Sequence, residues 1–157
     1  MKLSTLIFFV LIIFVTGCNN SDPNMLALND IEGIKKFPHK VKLPTRLPFD
    51  VEVSRGEVNE YGPNDVHIIL SYFTKDDNIE VRITSLEALD VMTGENEQRI
   101  QLINGTYAKY FFNGHTQILS WDDNQSNYSL TVYLHGVEEG TEKYTVDELV
   151  EIAASFK

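Results

Sequence analysis

Hydrophobic and polar residues alternate along much of the chain after position 48. The alternation is clearest at 49–54, 66–73 and 79–84, where every second residue is apolar. A period of two is typical of strands with one buried face. These segments therefore predict three strands, with Lys75-Asp76-Asp77-Asn78 as the turn between the second and the third.

Two Asn-Gly dipeptides, Asn104-Gly105 and Asn113-Gly114, divide the following part of the chain. Asn-Gly favours the tight turn of a β-hairpin because both residues tolerate positive φ, and the twist of that turn matches antiparallel strands. Two such turns in succession predict a meander. Its strands, together with a later alternating strand, are predicted at 100–103, 106–112, 115–121 and 128–134.

The chain closes with a helical pattern. Thr145 and Glu148 have the spacing of a capping box, and Tyr144 and Leu149 have that of a hydrophobic staple. A helix here places Leu149, Ile152, Ala153 and Phe156 on one face. The predicted fold is α+β: an antiparallel sheet of about seven strands with the C-terminal helix packed on one face.

Two other segments are less regular. Residues 25–37 predict a short, weak helix, and the prolines at 38, 44 and 48 then predict extended chain. Residues 85–97 fit either a short helix or an irregular crossover.

The N-terminus has the pattern of an export signal. Lys2 precedes ten consecutive apolar residues at 6–15, and a helix needs roughly 20 to span a bilayer. The run ends in Val15-Thr16-Gly17-Cys18, which resembles a lipobox. That resemblance implies cleavage before Cys18 and attachment of diacylglycerol to its thiol, on the extracytoplasmic side of the cell membrane.

The predicted organisation is therefore a signal peptide at 1–17, a polar tether at 18–24 and a single extracytoplasmic domain at 25–157. Cys18 is the only cysteine, so the domain contains no internal disulfide. As a flexible coil the tether reaches about 15 Å, which keeps the domain close to the membrane.

Charge is distributed unevenly. The segment from Cys18 to Arg46 carries a net charge of +2, whereas the segment from Leu47 to Lys157 carries −13. The acidic part repels phosphate backbones, so no nucleic-acid partner is expected. The basic part is predicted to face anionic headgroups, with the alternative that its side chains are merely solvated. Its members are Lys35, Lys36, Lys40, Lys42 and Arg46.

The proline-rich stretch 37–48 resembles the entry to an uncharacterised extracytoplasmic family, domain of unknown function 4367. Residues 103–108, the tryptophan hairpin around Trp121 and Tyr128, and the helix at 148–153 are similar to other parts of that family. The resemblance covers about 37–157 and implies a lipoprotein or an outer part of a membrane-bound regulator. It carries over no catalytic residues, and Phe49 stands where the family commonly has glycine.

Familiar catalytic and cofactor motifs are absent from the sequence. It contains no Gly-x-Ser-x-Gly, no phosphate-binding glycine loop and no metal-ligand spacing among its four histidines. A calcium-loop pattern starting at Asp122 lacks glycine at its sixth position and glutamate at its twelfth. We therefore expect no metal, no cofactor and no enzymatic activity.

Aromatic residues are concentrated in the meander. Tyr107 and Phe111 share one face of a strand, whereas Tyr110 and Phe112 share the other. This predicts core on one side and the helix or proline segment on the other. The alternative is an aromatic groove for a lipid, peptide or glycan, with Tyr107, Tyr110 and Trp121 as candidate ligand-facing residues.

The expected function is a membrane-anchored, non-enzymatic module that binds or senses a ligand or protein in the cell envelope. The alternative is a small envelope hydrolase whose acidic site is assembled from dispersed residues.

Overall fold

The computed structural model describes residues 24–62, 65–85, 97–123 and 125–157. The predicted signal peptide, Cys18 and most of the tether lie outside these residues, as do most of 85–97. Two short 3-10 helices precede the sheet, at Leu28–Asp30 and Ile34–Lys36. The strands and the helix are β1 Val53–Gly62, β2 Asp65–Phe73, β3 Asn78–Thr84, β4 Gln98–Gln101, β5 Tyr107–Phe112, β6 Thr116–Asp123, β7 Ser126–Tyr133 and α1 Val146–Ala154.

The seven strands form one sheet in the order β1-β2-β3-β7-β6-β5-β4, and every neighbouring pair is antiparallel. The predicted α+β class and the antiparallel sheet with one C-terminal helix are confirmed. β3 and β7 pair in the middle of the sheet although they are distant in sequence. This pairing joins the N-terminal strands to the meander.

The ends of the strands lie along two opposite sides of the sheet, which we call its rims. We call one the distal rim; it carries the ends of β1, β3 and β6 and the β4–β5 hairpin tip at 102–106. The opposite one, the tether rim, carries the first residue of β1 and the turn at 74–77. Asn24 lies at the tether rim, because its side chain donates to Val51 O at 2.6 Å and its carbonyl accepts from Ser54 Oγ at 2.6 Å.

The core lies on one face of the sheet, where alternate residues of each central strand are buried. Helix α1 and the segment 24–51 both pack on this face. α1 contributes Leu149, Ile152 and Ala153, and the segment contributes Ile31, Phe37, Val41, Leu43 and Val51. Polar and apolar residues mix on the other face, which no described helix covers.

Two local predictions are wrong. The first strand begins at Val53 rather than at Phe49, and it continues to Gly62. β1 is an edge strand, so its residues are mostly half-buried or exposed and its hydrophobic period is weak. The predicted helix at 25–37 is instead two 3-10 turns. Gly33, at φ +80°, separates them, and the left-handed region interrupts an α-helix.

Both predicted hairpin turns are present, but their geometry differs from the prediction. Gly105 and Gly114 have φ of +85° and +86°, whereas Asn104 and Asn113 do not have positive φ. Each asparagine instead accepts a backbone hydrogen bond through its side chain. Asn104 Oδ1 accepts from Thr106 N at 3.0 Å, and Asn113 Oδ1 accepts from Thr116 N at 2.7 Å. These are Asx-type turns, in which asparagine acts as an acceptor.

We expect Gly105→Val to lower the free energy of unfolding by about 1–2 kcal/mol, because a β-branched residue is strained at positive φ. An added Cβ meets nothing within 4 Å at Gly105, so backbone strain is the only cost. Urea unfolding followed by Trp121 fluorescence would measure the change. Gly105→Asn is the matched control and should cost less, since asparagine tolerates this region. Equal losses for the two variants would contradict the positive φ assigned to Gly105.

Candidate ligand-binding cleft

A hollow of about 280 Å³ opens at the distal rim. It lies where the C-terminal end of α1 meets the β4–β5 hairpin tip and the end of β6. We call it the distal cleft. It is lined by Lys42, Leu102, Ile103, Asn104, Trp121, Asp123, Ala153, Ala154 and Phe156.

Aromatic rings form the inner wall of the distal cleft. Trp121 on β6 is directly opposite Tyr128 on β7, and their rings stack with centroids 5.5 Å apart. Phe156, which follows α1, packs edge-on against both rings at 5.2 and 5.7 Å. Such stacked and edge-on pairs are favourable beyond the area they bury. The inner wall is therefore rigid and apolar.

A charged pair borders the aromatic wall. Lys42 Nζ lies 2.5 Å from Asp123 Oδ2, and both side chains are partly exposed. The backbone N–H of Lys42 also donates to the Tyr128 hydroxyl at 3.2 Å. Burial raises the pKa of Tyr128, so this hydroxyl stays neutral at physiological pH. The proline segment and the end of β6 thus supply the polar edge of the cleft.

The hairpin tip forms the outer wall. Ile103 is 73% exposed, the highest value among the large hydrophobic side chains that the structure describes. Asn104 uses its side-chain oxygen in the turn, so its amide NH₂ group is available to a ligand. A second hollow of about 430 Å³ shares Ile103 and Ala154 with the distal cleft. The concave surface therefore continues along the exposed side of α1.

The three aromatics predicted to face a ligand are not brought together. Trp121 lines the distal cleft, although only 5% of it is exposed. Tyr110 is in the core, where its hydroxyl donates to Glu142 at 2.7 Å and burial raises its pKa to about 12. Tyr107 lies on the opposite face of the sheet, half exposed, with the Arg99 guanidinium 3.8 Å from its ring centre. The three residues therefore do not line one common groove.

The explanation predicted for the aromatic strand is also wrong. It placed the core on one face and the helix or proline segment on the other. Helix and proline segment instead cover the same face: Phe156 contacts Trp121, and Lys42 contacts Tyr128. Strand periodicity identifies which residues share a face, but not which face a distant segment covers.

The basic residues predicted to face the membrane are largely paired. Lys36 contacts Glu60 at 2.7 Å, Lys42 contacts Asp123, and Arg46 contacts Glu151. Among the described residues, Lys35 and Lys40 form no ion pair. Paired charges attract anionic headgroups less than free ones do.

The position of the pairs also matters. Glu60 and Asp123 lie at the distal rim, whereas Asn24, where the tether enters the domain, lies at the tether rim. Ser54 and Glu60 are six positions apart, which along a strand is about 20 Å. That is more than two Debye lengths at physiological ionic strength. The structure therefore gives no support to a membrane surface made of these basic residues.

Asp77 is a carboxylate whose surroundings favour the ionised form. Burial would raise the pKa of Asp77, but hydrogen bonds from Tyr144 and Lys143 outweigh it and hold the pKa low. An ionised carboxylate with two donors is a poor general acid.

No three metal-ligating side chains cluster in the described ranges. No described helix is long and apolar enough to cross a membrane.

Comparison with protein-family models found no match, and comparisons with curated proteins and with solved structures found no significant similarity. The resemblance to the uncharacterised extracytoplasmic family therefore stays a prediction.

Proposed function

We propose that this chain is a lipid-anchored module of the cell envelope that binds a ligand in the distal cleft without transforming it. The observation that carries the proposal is the position of the cleft relative to the tether. Asn24 lies at the tether rim, and Cys18 precedes it by only six positions. The distal cleft lies at the opposite rim, so an anchored domain presents it away from the lipid surface.

The composition of the distal cleft favours a peptide that presents one apolar side chain. Trp121 is too buried to offer an open ring face to a sugar. The Lys42–Asp123 pair and the Asn104 amide suit peptide N–H and C=O groups better than an acyl chain. The volume of about 280 Å³ is near the lower end of the range for ligand sites, which suits one side chain.

Trp121 is the only tryptophan, so its fluorescence reports on the distal cleft directly. We expect acetyl-leucyl-leucine amide to produce a saturable change in this fluorescence in the detergent-solubilised protein. Decanoic acid and chitotriose test the lipid and glycan classes. Saturation by either of these, with none by the peptide, would replace the proposed ligand class.

Ile103→Arg places a charge at the exposed mouth of the cleft and should weaken peptide binding at least tenfold. Tyr107→Arg is the matched control, because Tyr107 is also an exposed apolar residue near the same hairpin but lies on the other face of the sheet. It should bind like the parent protein. If no probe saturates, or if Tyr107→Arg weakens binding as much as Ile103→Arg, the distal cleft is not the binding site.

A further inference from the structure

β1 is a long strand with a free side. It forms the edge of the sheet and pairs only with β2 over Val53–Gly62. On its other side, its backbone makes no hydrogen bond with the described residues. Exposed edges of this length tend to pair with another strand. By contrast, the opposite edge strand, β4, has only four residues.

The charges of β1 complement those of a second β1. Arg55 is the only basic residue of the strand, is exposed, and has no ion-pair partner in the described part of the chain. Glu57 is two positions further on, and Gly56 between them faces core residues Ile31 and Leu70, so Arg55 and Glu57 both project from the face opposite the core. When two copies pair antiparallel with Gly56 opposite Gly56, each Arg55 is opposite the Glu57 of the other copy. Opposite charges at directly facing positions stabilise strand pairs.

Other antiparallel registers are less favourable. Directly facing residues must project from the same face of the joined sheet. Each alternative register therefore has a different single residue of β1 facing its own copy at the centre of the pairing. Centring on Arg55 or on Glu57 brings like charges face to face, which is destabilising. Centring on Val58 places Arg55 opposite Tyr61 and leaves its charge unpaired. Only the Gly56 register produces two symmetric ion pairs.

We propose that the protein forms a two-fold symmetric dimer in which β1 pairs with β1 of a second copy over Val53–Asn59. The contact extends the two sheets into one. It is small for an interface, so it depends on the high local concentration that a shared membrane provides.

The membrane anchor is compatible with this symmetry. Asn24 contacts Ser54, and in the proposed register the two copies of Ser54 lie about 14 Å apart along the paired strands. Both tethers, each with a reach of about 15 Å, can therefore enter the same membrane. A register centred on a residue farther along β1 would place the two copies of Ser54, and therefore the two tethers, farther apart.

Disulfide cross-linking of the full-length protein in membranes tests the proposal. In the Gly56 register Val53 is opposite Asn59 of the second copy, so Val53→Cys combined with Asn59→Cys should give a covalent dimer on mild oxidation. Within one chain these positions are about 20 Å apart, too far for a disulfide. Each single variant is the control and should give at least tenfold less dimer, as should the parent protein with Cys18 alone.

Charge reversal then tests the ion pairs. In the double-cysteine background, Arg55→Glu or Glu57→Arg should lower cross-linking at least fivefold, and the two together should restore it. Unchanged Trp121 fluorescence shows that the variants fold. Equal cross-linking of the single-cysteine variants, or charge reversals without effect, would overturn the proposed dimer.

Discussion

Gln117→Ala is expected to lower the free energy of unfolding by about 4 kcal/mol, the largest stability change predicted for this protein. Gln117 is completely buried, one residue after the start of β6. Its NH₂ group donates to Tyr144 O at 2.6 Å and to the Tyr110 hydroxyl at 3.2 Å. Its side-chain oxygen accepts from the N–H groups of Lys143 and Tyr144 at 2.9 and 3.0 Å.

All the hydrogen-bonding capacity of this side chain is therefore used. Three of the four bonds hold the backbone at 143–144, directly before the N-cap of α1. The alanine variant leaves a cavity together with backbone groups that lose their partners, and each such group costs about 1–3 kcal/mol when it stays buried. The loss should loosen the start of α1 as well as the sheet.

Urea unfolding monitored by Trp121 fluorescence would measure the effect. Gln101→Ala makes the same substitution at an exposed position of β4 and should change stability by less than about 0.5 kcal/mol. A loss for Gln117→Ala within 1 kcal/mol of this control would mean that the buried network contributes little to stability.

Cys18→Ala is expected to abolish lipid attachment. The proposed anchor is the thiol of the only cysteine in the chain, so no other side chain can replace it. Labelling cells with an alkyne fatty acid should mark the parent protein and leave the variant unmarked. Because two acyl chains dominate membrane affinity, the variant should also be found as precursor or as released protein.

Ser21→Ala alters the tether without changing the lipobox-like residues 15–18, so it is the matched control and should be labelled like the parent. Labelling of Cys18→Ala at the level of this control would show that the chain is not a lipoprotein acylated at Cys18. The fold and the distal cleft would remain as described, but nothing would then support the proposed orientation of the cleft away from a membrane.

Local patterns in the sequence determined most of the secondary structure. Thr145 and Glu148 cap α1 as their spacing predicts, with Thr145 Oγ1 accepting from Glu148 N at 3.3 Å. Gly105 and Gly114 mark the two hairpins, and β2, β3 and β6 follow their alternating residues. Each of these features depends on residues only a few positions apart, so the local sequence is sufficient to predict it. The prediction failed at β1, where an edge position weakens the period.

Tertiary structure decided where these elements meet. The Lys42–Asp123 pair joins residues 81 positions apart, and Gln117 binds backbone 27 positions away. The period of β6 places Gln117 on the same face as Leu119 and Trp121, but the hydrogen-bond partners that let an amide be buried there come only from the fold. The same holds for the distal cleft, whose walls come from the proline segment, the hairpin tip, β6 and α1. The alternation of the strand already placed Tyr107 on the opposite face from Tyr110, but only the packing of distant segments distinguished Trp121, which lines the cleft, from Tyr110, which lies in the core.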